Sequence, residues 1–178
     1  MDLRYYPDPV LRARAKRVEA FDQDVADLVG EMLRTIREHN GLGLAAPQVG
    51  VSRRVIMVSR DAAPGSEIIM VNPEIVATDG WEIAEEGCLS FPGIYVKIGR
   101  FRHVTAQYQD VQGRTHGLEA EGLLARAVQH EVDHLEGRLL VDRMSVVQRM
   151  AHRRRLRELE RRHARQPARA RAAGTAGP

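Results

Sequence analysis

AVQHEVDHLEG, residues 127–137, places two histidines four positions apart, with a glutamate directly after the first. In a helix, residues i and i+4 lie one turn apart on the same face, so both imidazoles can converge on one cation. The glutamate is then placed to take a proton from water rather than to bind metal. Because a catalytic metal site usually has three protein ligands and one open position, a third ligand must come from elsewhere in the chain.

The residues around this motif have the periodicity of a helix over residues 122–137. His130 and His134 lie side by side at the border of an apolar arc, and Glu131 lies within that arc. A glutamate on a buried face is costly unless a neighbouring group requires it. An amphipathic helix whose histidines simply form hydrogen bonds would explain one of these three residues. It would not explain both histidines at the border and the glutamate within the arc together. The apolar arc comprises Leu123, Leu124, Ala127, Val128 and Leu135, and the opposite arc comprises Arg126, Gln129, Asp133 and Glu136.

The rest of the chain alternates between helical and strand periodicity, which predicts an α+β fold. Residues 22–40 carry an apolar stripe at helical spacing and end at Asn40-Gly41, as expected for an N-terminal helix. Short turns between five consecutive strand-like runs favour antiparallel pairing. A further helix is predicted from Ser145, and the segment beyond Gln166 is predicted to be disordered. The strand-like runs are RVIMVS, EIIMVN, IYVKI, HVTAQYQD and RTHGLEAE.

The charge is distributed unevenly along the chain. Residues 149–178 contain ten arginines against Glu158 and Glu160, a net charge of +8, so residues 1–148 carry −5 of the total of +3. We predict a single catalytic domain over residues 1–148, followed by a basic C-terminal helix and tail over residues 149–178. An RNA- or ribosome-binding protein with a structural metal is a rival interpretation of this tail, although a charge run is more often a solvated helix face.

The composition disfavours secreted and membrane proteins. The chain of 178 residues is 43% hydrophobic and long enough to bury a core. The N-terminus lacks the apolar run of a signal peptide, and no run approaches the roughly 18 apolar residues that span a bilayer. Cys88 is the only cysteine, so it has no disulfide partner in the chain, which fits a reducing compartment. We expect a cytoplasmic protein that does not interact with membranes.

Several residues are candidates for the third metal ligand. Glu158 or Glu160 on the following helix would complete a His₂Glu site, as in a zincin-like metallopeptidase. His152 is another candidate, but the H-E-x-x-H-x-x-G-x-x-H pattern of a metzincin is absent. Cys88 lies in EEGCLSFPG, whose context indicates a loop, and a thiolate binds zinc or ferrous iron well. A lone cysteine is most often a small buried hydrophobe, so these alternatives stay open.

A third stretch, GLGLAAPQVG, occupies residues 41–50. It does not match a phosphate loop, because no strand precedes it, the G-x-G-x-x-G pattern is incomplete and lysine is missing. A helix stop followed by small residues would explain it. Alternatively, its glycines would let an extended ligand backbone approach closely, and Gln48 could donate an amide hydrogen bond to an oxyanion.

In this order, GLGLAAPQ, EGCLS and QHEVDHLEG resemble the three signature motifs of the bacterial peptide deformylases. YPDPVLR and LEAEGLLARAVQHE are also similar to that family, in the pattern of its shorter, type 1 members. The resemblance covers residues 3–145 and leaves out the tail. It implies antiparallel β-sheets wrapped around a central helix that carries HExxH, with an N-terminal and a C-terminal helix. The activity that it implies is hydrolytic removal of the N-formyl group from the initiator methionine of nascent polypeptides.

The resemblance also implies roles for individual residues. Cys88, His130 and His134 would bind the metal, and Glu131 would act as general base and then as general acid. The side chain of Gln48 and the backbone N–H of Leu89 would stabilise the oxyanion. The implied native metal is ferrous iron, and zinc, nickel or cobalt can occupy such a site.

The substrate is expected to contact both the helix and the glycine-rich stretch. Leu123, Ala127 and Gly43 would form a pocket for the methionine side chain. The peptide beyond it would pair, as an added strand, with the backbone around Leu42, Gly43 and Gly87. Glu86 and Arg100 are expected, from the family resemblance, to form an ion pair behind the site. The arginine-rich tail is expected to dock on the ribosome, where formyl-methionyl chains emerge. The predicted substrate contacts are Leu42, Gly43, Gly87, Leu123 and Ala127.

Overall fold

The computed structural model describes residues 1–165, in which two antiparallel sheets pack around one buried helix. The helices are α1 (Gln23–Glu38), α2 (Gly122–Leu135), α3 (Leu140–Arg143), α4 (Val146–Ala151) and α5 (Arg153–Arg165). The strands are β1 (Gly43–Ala45), β2 (Val55–Val58), β3 (Ile68–Asp79), β4 (Glu82–Gly87), β5 (Tyr95–Arg100), β6 (His103–Gln109) and β7 (Thr115–Glu121). The predicted α+β class is confirmed.

The strands form a five-stranded sheet in the order β1-β2-β3-β6-β7 and a separate hairpin of β4 and β5. Every pair of neighbouring strands is antiparallel, as the short connections predicted. All five predicted strands are present. β1 and β4 were not predicted. β1 has only three residues, and in β4 the outward position Ile83 is apolar and the inward position Glu86 is charged, which inverts the usual alternation.

Helix α1 confirms the predicted N-terminal helix. The carboxylate of Asp22 accepts a hydrogen bond from the backbone N–H of Val25 and so caps the helix. The apolar stripe is buried against β2 and the glycine-rich stretch. The helix ends where Asn40 adopts a φ of 50° and the Gly41 N–H returns to the Ile36 carbonyl.

Helix α2 is buried on almost all sides. Four members of its apolar arc (Leu124, Ala127, Val128 and Leu135) pack on the five-stranded sheet. Leu123, which was predicted to share that arc, is 52% exposed, because it lies in the first turn at the mouth of a cavity. Its polar arc is also largely buried, since Arg126, Gln129 and Asp133 are each less than 10% exposed. A helix in this position is held by packing on one side and by polar contacts on the other.

The C-terminal segment completes a second core. The helix predicted from Ser145 consists of α4 and α5, which are separated at His152. Leu156 and Leu159 of α5 are buried in a cluster with Phe91 and Ile94. The disordered segment predicted beyond Gln166 lies outside the described residues. Across residues 1–165, no helix combines the length and apolar character needed to cross a membrane.

Candidate functional site

The cysteine of the turn after β4 meets the two histidines of α2. One ligand atom each from Cys88, His130 and His134 lies within 4.8 Å of the others. Cys88 Sγ is 3.3 Å from His134 Nε2. Atoms that share one tetrahedral zinc or iron ion lie roughly 3.3–3.8 Å apart, so this spacing suits a single divalent ion.

The two imidazoles differ in their electrostatic setting. Burial, reinforced by the positive charge of His130, holds the pKa of His134 well below its usual value, so this ring is neutral and has a lone pair to offer. Burial acts in the same direction on His130, but Cys88 and Glu86 outweigh it and raise the pKa of His130. The surroundings therefore shift the pKa values of the two rings in opposite directions.

A carboxylate fixes the orientation of the His130 ring. Glu86 Oε2 lies 3.1 Å from His130 Nδ1, which leaves Nε2 of that ring for the cluster. Arg100 donates to both oxygens of Glu86, at 2.9 and 3.0 Å, and Arg126 donates to Glu86 Oε1 at 2.7 Å. Burial raises the pKa of Glu86, but hydrogen bonds from His130 and Arg100 lower it well below its usual range. Glu86 is thus held as an anion behind His130.

Glu131 lies beside the cluster and lacks such support. The side chain is buried, and its Oε2 has no hydrogen-bond partner among the described residues. Burial raises the pKa of Glu131 to about 7, because few donors stabilise its charge. Gly43 of β1 lies directly against it, and a Cβ there would overlap the carboxylate. The absence of a side chain at Gly43 is what makes room for Glu131.

Gln48 reaches the same point from the glycine-rich stretch. Its Oε1 accepts a hydrogen bond from the Ala45 N–H at 2.8 Å, which turns the amide nitrogen towards Cys88 and Ser90. That nitrogen lies 3.6 Å from Cys88 Sγ and 3.3 Å from Ser90 Oγ. An amide N–H donor is therefore held next to the sulfur of Cys88.

A cavity of about 500 Å³ opens in front of this cluster. It is walled by α2, by the start of β1 and by the β4–β5 hairpin. Among the residues that line it are all the predicted substrate contacts, together with Gln48, Glu86, Cys88, Leu89, His130 and Glu131. Arg100 lies outside that lining, behind Glu86.

The glutamates of the tail lie elsewhere. Glu158 pairs with Arg155 and Arg162 on α5, and Glu160 accepts a hydrogen bond from the Tyr6 hydroxyl at 3.1 Å. Among residues 1–165, neither belongs to a group of side chains that could hold a metal together with the histidines.

The comparisons with known proteins point to one family. The model of the polypeptide deformylase family matches residues 1–150. The chain is 50% identical to a peptide deformylase of Dictyoglomus turgidum over 143 residues, which cover 80% of this chain and 92% of that protein. Its structure resembles a peptide deformylase of Legionella pneumophila with a TM-score of 0.85 and 43% identity, over 93% and 98% of the two chains. It also resembles a peptide deformylase of Plasmodium falciparum, with a TM-score of 0.88 and 38% identity, over 92% of this chain and 97% of that chain. The chain belongs to the polypeptide deformylase family.

Membership of this family establishes the reaction. The protein is a metal-dependent hydrolase that removes the N-formyl group from nascent polypeptides, as the three motifs predicted. The alternative of a zincin-like peptidase with a tail glutamate as ligand is not favoured. The deformylase fold brings the sole cysteine, and not the tail, to the histidines.

Sequence reasoning missed several polar residues that surround Cys88 and the two histidines. Asp133 accepts hydrogen bonds from Arg100 at 2.5 Å and from Arg143, and Arg126 reaches the carbonyls of Glu82 and Ile98. Ser90 contacts Gln48. The only signal for Arg126 and Asp133 was a set of polar residues on α2, and such a set is equally typical of a solvated helix face.

Proposed function

We propose that Cys88, His130 and His134 hold one divalent ion and that Glu131, which is not a ligand, carries the proton during deformylation. The observation that supports this most directly is the convergence of the three ligand atoms within 4.8 Å beside a buried, unpartnered carboxylate oxygen. A thiolate and two imidazoles suit zinc-type and ferrous ions. When bound, such an ion lowers the pKa of water and polarises a carbonyl group.

Glu131 is suited to act first as base and then as acid. Deformylation adds water across the formamide C–N bond and yields formate and a free α-amine. The carboxylate takes a proton from the water and delivers it to the departing amine. A pKa of about 7 lets one group serve both steps near neutral pH.

Two donors are proposed for the negative oxygen that develops on the formyl carbon. The Gln48 amide is held next to Cys88, and Leu89 directly follows that ligand in the chain. Donors that are fixed before the reaction stabilise charge without reorganisation.

The peptide is proposed to lie between the edges of β1 and β4. β1 is the end strand of its sheet and β4 pairs only with β5, so each leaves one edge free within residues 1–165. Backbone around Leu42, Gly43 and Gly87 would pair with the substrate as an added strand. Leu123 and Ala127 would line the pocket for the methionine side chain.

We propose ferrous iron as the native metal, with zinc, nickel or cobalt as possible substitutes, because thiolate and imidazole ligands accept all of them. The test is anaerobic purification, measurement of metal per chain by mass spectrometry, and deformylation of a formyl-Met tripeptide. Cys88→Ser should lose metal and activity together, whereas the matched Glu158→Ala should keep both. Loss of metal in Glu158→Ala alone would contradict the proposed ligand set.

We propose a cytoplasmic location and docking of the arginine-rich tail on the ribosome. The support is the excess of arginine over acidic residues from Arg149 onward. Because Leu156 and Leu159 belong to the core, the test deletes only residues 166–178 and, separately, replaces Arg154 and Arg161 by glutamine. Both changes should weaken salt-sensitive binding to ribosomes and leave tripeptide turnover unchanged. Equal ribosome binding by all three proteins would contradict the proposal.

A further inference from the structure

The outward face of the β4–β5 hairpin carries large apolar side chains in water. Trp81, Ile83 and Tyr95 are exposed by 61%, 65% and 62%. The tyrosine ring lies over Gly87, its cross-strand partner, and the Trp81 ring lies over Gly99, the partner of Ile83. Phe101 packs edge-on against Trp81 with ring centroids 5.4 Å apart. Clustered exposed apolar residues of this kind usually mark an interaction surface.

This surface begins at the mouth of the catalytic cavity. Gly87 and Tyr95 line the cavity, and Gly87 directly precedes Cys88. Moving away from the cavity, the cross-strand pairs are Gly87 with Tyr95, Glu85 with Lys97, and Ile83 with Gly99. This face of the hairpin thus adjoins the substrate cavity at Tyr95 and reaches Ile83 and Trp81 at its other end, with the exposed Glu85–Lys97 pair between them.

The direction of β4 decides how a bound chain must run. β4 leads into Cys88, so a peptide whose formyl end lies at Cys88 leaves the site antiparallel to β4. The Glu82 carbonyl already accepts a hydrogen bond from Arg126, which leaves residues 83–87 as the free length of the edge. At about 3.3 Å per residue, the path from Gly87 to Ile83 is roughly 13 Å, or four residues of extended peptide.

We propose that Ile83 and Trp81 form a docking surface for apolar side chains of the nascent polypeptide, centred on its sixth residue. The proposal rests on the peptide path given under Proposed function. With the formyl end at Cys88, we take the second residue as the partner of Gly87, which places the sixth residue opposite Ile83. An unfolded chain as it emerges exposes apolar side chains of many kinds. Exposed rings and one isoleucine next to a free strand edge bind such side chains without selecting one sequence.

The test compares formylated peptides of two lengths, all with amidated C-termini. One is a formyl-Met tripeptide, which ends before Ile83. Two are formyl-Met octapeptides that otherwise contain alanine and serine, with leucine or serine at position six. For the wild type, we expect kcat/KM to be about 2–5-fold higher with leucine than with serine at position six, the range for a cross-strand apolar contact. Ile83→Thr keeps the β-branched shape and should reduce this ratio to about one, with unchanged tripeptide turnover.

The matched control is Val76→Thr, which removes an exposed β-branched apolar residue from β3, in the other sheet. Val76→Thr should keep the wild-type ratio. A wild-type ratio of one would overturn the docking surface, and so would an equal loss of the ratio in both variants. In either case, normal turnover of the tripeptide would show that the catalytic assignment still holds. Dissociation of a wild-type dimer by Ile83→Thr, seen by sedimentation, would assign the surface to a second copy instead. Failure of the wild type on the tripeptide would overturn the catalytic assignment and the docking surface with it.

Discussion

On one side of α2, Glu131 Oε2 and His134 Nδ1 are buried and have no hydrogen-bond partners within residues 1–165. On the other side, Asp133 accepts hydrogen bonds from both Arg100 and Arg143. Glu131, His134 and Asp133 are all buried. Because an unpaired buried polar group costs stability, its presence at one place only within this helix needs a reason. The paired side holds the helix in position. On the other side, the Glu131 carboxylate stays free to interact with water or substrate, and His134 Nδ1 is the ring nitrogen that does not face Cys88.

The largest effect should come from filling the space beside the unpaired carboxylate. Gly43→Ala would place a Cβ against Glu131, whose Cγ and Cδ would lie 2.9 Å away. Displacing a general base typically costs about 10²–10⁴ in rate, and kcat/KM on a formyl-Met tripeptide should fall by that factor. The control is Gly117→Ala, where a Cβ has no atom within 4 Å. If the two variants have equal activity, the close approach of Gly43 has no role in catalysis.

Breaking the paired side should lower stability more than it affects chemistry. Arg100→Met removes a guanidinium that is 4% exposed and leaves Glu86 and Asp133 with one fewer partner each. Removal of one member of a buried ion pair costs about 3–5 kcal/mol in the free energy of unfolding, measurable by urea denaturation at equal metal loading. Arg102→Met breaks the exposed pair with Glu121 and should cost at most about 1 kcal/mol. Similar losses in both variants would mean that the buried network does not position the helix.

Removing the amide donor should have the smallest of these effects in free energy. Gln48→Leu should lower kcat by about 10²–10³, the usual cost of one oxyanion donor, with metal content unchanged. Because the Ala45 N–H loses its acceptor, thermal stability is measured alongside. An unaltered kcat would remove Gln48 from the mechanism.

The same comparison explains which features could be predicted from sequence. The H-E-x-x-H spacing is local, so the helix and its two histidines follow from helical geometry alone. The family motifs added Cys88, which is 42 positions before His130 and which no periodicity connects to it. Arg126 and Asp133 could not be recognised, because a buried polar face supported by arginines from other elements has the same pattern as a face in water. β4 was hidden by its inverted alternation, with Glu86 inside and Ile83 outside.

The most direct test of the division between ligands and proton carrier is to measure metal content and activity together in Glu131→Ala. The protein is purified anaerobically, its metal per chain is determined, and deformylation of a formyl-Met tripeptide is followed. If Cys88, His130 and His134 are the ligands, the variant retains one metal per chain, as the wild type does, and is nearly inactive. Loss of the metal, or turnover close to that of the wild type, would contradict the account.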